Sequence, residues 1–111
     1  MDNGVRVDLN SNRVFFGGRG IRVQPKQAEV AFMLLRNYPE ALEVKDLVRG
    51  LYGIGSIRYS PRTEGPNERA TVRSHVSILR RHLRSIHLNI LNVDRRGYTL
   101  DIPAAEIDDR S

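Results

Sequence analysis

ERATVRSHVSILRRHLRSIHLNILNVDRRGYTL, residues 68–100, is the stretch that decides the architecture. At 100° per residue, Val72, Val76, Leu79, Leu83 and Ile86 fall in one narrow stripe. The spacing predicts a helix with a single buried face, running from an N-cap at Asn67 to about Ser85 or His87. Glu68 would then sit in the first turn, where the helix dipole favours an acid. Ala70, Ser74, Ser77 and Arg81 point directly away from the stripe. Arg73, Arg80 and Arg84 lie on one flank, and Thr71, His75, Ile78 and His82 on the other. A hairpin follows. Leu91 and Val93 alternate on one strand, Asp94-Arg95-Arg96-Gly97 makes the turn, and Tyr98, Leu100 and Ile102 alternate on the return.

Outward from that stretch, the chain opens in short strands. Val5, Val7 and Leu9 alternate with polar residues, Asn10-Ser11-Asn12 turns, and Arg13 to Phe16 returns. Gly17 and Gly18 break this strand, and Ile21 and Val23 suggest another. Pro25 suits the first position of a helix reaching about Asn37, with Ala28, Ala31, Phe32 and Leu35 on one face and Pro39 as its stop. Val30, Met33 and Leu34 widen the apolar surface of what should be a central helix. A second helix covers about Val44 to Tyr52, with Val44, Leu47, Val48 and Leu51 as its buried stripe. Residues 53–67, GIGSIRYSPRTEGPN, have no period and read as a long loop. Its Ile54, Ile57 and Tyr59 either anchor it or meet a partner. Residues 1–103 are expected to form one α+β domain, and residues 104–111 a short acidic tail.

The 111 residues carry a net charge of +5, unevenly placed. Between residues 69 and 96 stand Arg69, Arg73, Arg80, Arg81, Arg84, Arg95 and Arg96 against Asp94 alone, a local balance of +6 that leaves −1 for the rest. Such a field suits a polyanion. Cys is absent, so thiolate and disulfide chemistry are excluded. No apolar run approaches the roughly 18 residues of a membrane span, and MDNGVRVDLN is not a secretory signal. A cytoplasmic location fits. His75 and His82 share a face, but no carboxylate stands between them to complete a metal site. Gly17-Gly18-Arg19-Gly20 lies between strands, whereas a phosphate loop needs a helix start after it. No acidic pair has acid–base spacing. No cofactor and no enzymatic activity are expected.

The order of elements resembles the DNA-binding effector domain of OmpR/PhoB-type response regulators, over about Val5 to Ile102. The pieces that carry the resemblance are PKQAEVAFMLLRNYPE, VKDLVRGLYG, ATVRSHVSILRRHL and NVDRRGYTL. It implies a winged helix-turn-helix: a four-stranded N-terminal antiparallel sheet, three helices and a C-terminal β-hairpin wing. It also implies head-to-tail binding on direct DNA repeats, and RNA polymerase contact through the loop between the second and third helices. No receiver domain precedes these elements, so the expectation is a stand-alone regulator or an excised domain. The chain departs from the family in having Ser77-Ile78 in mid-helix, where basic residues are common, and Asp94-Arg95-Arg96-Gly97 in the wing. The target sequence should differ accordingly.

The expected function is a sequence-specific regulator of transcription that binds double-stranded DNA. Arg73, Ser74, Ser77, Ile78 and Arg81 are the candidates for the major groove, where Arg reads guanine, Ser bonds either base type and Ile meets a thymine methyl. Thr71, His75, Arg80 and Arg84 are candidates for phosphate. Arg95 and Arg96 are candidates for the minor groove, whose negative potential attracts Arg. The alternative is a protein-interaction module that binds RNA polymerase or another regulator through residues 53–67, with Ile54, Ile57 and Tyr59 as contacts.

Overall fold

The computed structural model describes residues 4–52, 66–94 and 96–103. The order is β1 (Val5–Asp8), β2 (Arg13–Phe16), β3 (Arg19–Arg22), α1 (Pro25–Asn37), α2 (Val44–Tyr52), α3 (Pro66–Leu83), a 3₁₀ turn (Arg84–Ile86), β4 (Asn89–Val93) and β5 (Gly97–Asp101). This is an α+β winged-helix fold. Residues 53–65, Arg95 and 104–111 lie outside the described part, and with them the expectations for Ile54, Ile57, Tyr59 and the acidic tail.

β1, β2 and β3 form an antiparallel sheet in chain order, with Val7 opposite Val14 and Val14 opposite Ile21. Three strands are described, not the four that the resemblance implied. Val5 to Arg22 is taken up by three strands and two turns, and Val23 and Gln24 lead straight into α1. Gly17 and Gly18 both have positive φ, the backbone of a two-residue hairpin turn. Leu9, expected on the strand, stands in the first turn and is 43% exposed. The Ser11 side chain and the Asn10 backbone hydrogen-bond the Asp8 carboxylate there and hold it below the usual carboxylate range.

α1 lies at the centre and packs on α2, α3, β1, β2 and β5. Its buried residues are Gln27, Ala28, Val30, Ala31 and Leu34. Val30 and Leu34 join Ala28 and Ala31 in the core, as the wide apolar surface of this helix implies, whereas Phe32, Met33 and Leu35 are only half-buried. Gln27 reaches the interior because its Oε1 accepts from the Gln24 backbone N–H at 3.2 Å, which satisfies the start of the helix locally. α2 buries Leu47, Val48 and Leu51, while Val44 stays half-exposed at its start.

α3 begins at Pro66, so Asn67 stands within the helix and not at the expected N-cap position. Pro at a first helical position gives up an N–H that has no internal partner anyway. Val72, Val76, Leu79 and Leu83 are all buried, as their spacing predicts. The helix ends at Leu83, before the expected residues. Leu88 N–H bonds Leu83 C=O, and His87 N–H bonds Arg84 C=O. His87 sits left-handed at φ 67°, the pattern of a Schellman stop with histidine in the usual glycine place. Arg19 Nη1 lies 3.0 Å from His87 Nε2, tying β3 to this corner.

Candidate nucleic-acid interface

The wing is β4 and β5, paired from Asn89–Asp101 to Val93–Gly97. Its position is set by the link between α1 and α2. Leu42 and Tyr98 exchange both backbone hydrogen bonds, each at 2.8 Å, and Thr99 Oγ1 donates to Pro39 C=O at 3.2 Å. Tyr98 is buried in the core, as expected. Gly97 has φ 105°, and a Cβ there would overlap the Leu42 carbonyl. Only glycine lets the wing come this close.

Four of the expected major-groove side chains are exposed or nearly so. Arg73, Ser74, Ser77 and Arg81 are exposed, whereas Ile78 is half-buried. With Ala70, the serines make a low outer surface along α3. Ile78 turns with Thr71, His75 and His82 toward the start of α1, where they share a hollow of about 560 Å³ with Gln24 and Gln27. His75 Nδ1 is buried with no hydrogen-bond partner among the described residues. Burial, and then the positive charge of Lys26, push the His75 pKa below 6.5. Both effects favour the neutral imidazole.

The opposite flank faces the wing. Arg80 is half-buried, and its Nε donates to Ile90 C=O at 3.0 Å, stapling α3 to β4. A phosphate contact by Arg80 would therefore fall to its other two nitrogens. Arg84 is exposed on the 3₁₀ turn. Arg96 is exposed and shares a hollow of about 430 Å³ with Glu40, Glu43 and Asp46. Arg95 lies outside the described residues. Asp94, expected to turn inward, is exposed.

A further cleft, of about 490 Å³, lies between the start of α2, the start of α3 and the wing, with Lys45, Arg69 and Arg73 along it. Sequence reading missed Lys45 and Arg69 as site residues, because Lys45 is far from α3 in the chain. Among the described residues the ion pairs are Lys26–Glu29 at 3.7 Å and Lys45–Glu43 at 3.6 Å. Arg69, Arg73, Arg81, Arg84 and Arg96 thus have no carboxylate partner there. No group of three or more potential metal ligands is found among the described residues, and no described helix is long and apolar enough to cross a membrane.

This geometry is that of winged-helix domains, and the comparison with solved structures agrees. The DNA-binding domain of the response regulator AdeR, solved in complex with an intercistronic region, matches with a TM-score of 0.66 at 18% identity, over 93% of this chain and 98% of that one. The DNA-binding domain of E. coli CadC matches with 0.64 at 20% identity, over 93% and 95%. The C-terminal domain of the nisin resistance regulator NsrR, a lantibiotic response regulator, matches with 0.68 at 15%, over 90% and 93%. The resemblance to OmpR/PhoB-type effector domains is borne out in the fold. No protein-family model and no curated protein matches the chain.

Proposed function

We propose that this chain is a sequence-specific, double-stranded DNA-binding regulator of transcription. The observation that carries the reading is the outer face of α3. Ala70, Ser74 and Ser77 make it low enough to approach base edges, and Arg81 stands exposed at its end. Beside it stand arginines without carboxylate partners among the described residues, then the wing. A major groove admits a helix of this kind, and phosphates suit the flanking charge.

In this reading Ser74, Ser77, Ile78 and Arg81 face base edges. Thr71, His75 and Arg84 meet phosphates, and Arg80 does so with what its bond to Ile90 leaves free. The wing enters the adjacent minor groove with Arg95 and Arg96. Head-to-tail pairs on direct repeats belong to the same proposal. The polymerase-binding alternative rests on Ile54, Ile57 and Tyr59, outside the described residues, and on Ile78, which is half-buried. The arginines beside α3 that lack described carboxylate partners favour DNA.

The test is selection from a random duplex library at about 0.15 M salt, then affinity for the selected and a scrambled duplex. A motif bound at least about a hundredfold more tightly than scrambled DNA is expected, with repeated half-sites. Absence of any enriched motif overturns the reading.

A further inference from the structure

Most of the charge on α3 is displaced from the face that would read bases. Arg69 and Arg73 are one helical turn apart and both exposed. Like charges at that spacing repel, and no described carboxylate lies within pairing distance of either. Both line the cleft toward the wing, and Lys45 enters from the first turn of α2. Asn92 of β4 adds an amide. The one carboxylate among the described residues of the rim is Glu43, 3.6 Å from the Lys45 ammonium, so these residues leave the cleft a net charge of about +2 by simple Coulomb accounting. Val44, the first residue of α2, lines the same wall.

We propose that this cleft grips one phosphate of the DNA backbone, held by Lys45, Arg69 and Arg73 together, so that Arg73 positions the duplex and does not read a base. The inference rests on the DNA-binding reading and sharpens it. Three cations from two helices converge on a space that also borders the wing. A phosphodiester is the feature of a duplex with a full negative charge; base edges present dipoles. Arg73 shares its space with Asn92 and Val93 of the wing, while Ser74 and Ser77 occupy the outward face. The clamp sits where α2, α3 and β4 meet, and it would fix how deep α3 lies in the groove. Glu43 opposes the phosphate and sets the affinity below its maximum.

The test uses the full chain with the selected and the scrambled duplex, over a range of salt. The double variant Lys45→Ala/Arg69→Ala is expected to weaken both duplexes alike, by about tenfold, and to flatten the salt slope by about one. Arg73→Ala should do the same and leave the ratio between the duplexes unchanged. Glu43→Gln should tighten both by about twofold to threefold. These side chains are exposed, so melting temperatures should hold and separate a binding loss from a folding loss. An unchanged slope in the double variant overturns the clamp, as does an Arg73→Ala loss confined to the selected duplex. Inorganic phosphate is titrated against the wild type by amide chemical shifts. Saturation at Lys45, Arg69 and Arg73, with DNA binding indifferent to the double variant, would assign the cleft to a free phosphorylated ligand and overturn it. A wild type that binds neither duplex overturns the parent reading, and this is seen before any variant is made.

Discussion

On the flank of α3 that faces the wing stand Arg69, Arg73 and Arg80, with Arg84 following on the 3₁₀ turn. On the flank that faces α1 stand Thr71, His75, Ile78 and His82. The first flank is charged without described carboxylate partners, and one of its members, Arg80, is spent on holding the wing. The second carries no arginine or lysine, and burial and then Lys26 favour the neutral form of its His75. One helix thus presents two chemistries, a charged flank suited to phosphate and a weakly charged one that packs toward α1 and reaches phosphate only through Thr71 and His75. The wing-side flank should dominate affinity and salt dependence. The α1-side flank should act on fold stability and fit.

The largest break in this comparison is expected at Gly97. Alanine there takes an unfavourable left-handed φ, and its Cβ meets the Leu42 carbonyl. The two Leu42–Tyr98 hydrogen bonds cannot survive it. Gly97→Ala should lower stability by about 3 kcal/mol in chemical denaturation. It should also cut affinity for any duplex by more than about tenfold, since the wing no longer stands beside α3. A variant of wild-type stability would show that the wing is not held by this contact.

Much of this arrangement was legible in the residues, and the reasons are local. Pro25 and Pro39 bracket α1, and Gly97 marks the hairpin. The stripe from Val72 to Leu83 needs only helical period. What escaped depends on tertiary approach or on backbone without a residue signal. α3 stops at Leu83 through a left-handed histidine, which no glycine announces. Gln27 is buried because Gln24 meets it, a polar pair that a search for apolar faces discards. The fourth strand came from the resemblance and not from the residues before Pro25. Lys45 joins Arg69 and Arg73 only because the start of α2 lies against the wing.

A smaller difference is expected within the charged flank. Arg80→Ala removes the bond to Ile90 C=O and part of a half-buried stem, and should cost about 1–2 kcal/mol of stability. Arg84→Ala, on the exposed 3₁₀ turn, should leave stability within about 0.5 kcal/mol. It should weaken selected and scrambled duplexes equally. Urea denaturation and binding on the same samples check both. Equal stability losses would show that the staple contributes nothing beyond surface charge.

The smallest effect belongs to the neutral flank and appears as a dependence on pH. The folded His75 has a pKa below its unfolded value of 6.5, first by desolvation and then by Lys26 of α1. Folding therefore favours the neutral ring. Its contribution is fully present above the unfolded pKa. As pH falls below about 6.5 the unfolded chain takes up the proton first, and stability declines until the folded ring is protonated as well. The wild-type melting temperature should drop between about pH 7 and pH 5 by more than that of His75→Gln, which has no ionisable ring. Other histidines and carboxylates are common to both proteins, so only the difference between the curves reports His75. Parallel curves would mean that the ring is as easily protonated folded as unfolded. The contrast between a charged and a neutral flank would then fail at low pH, where α3 would present cations on both sides.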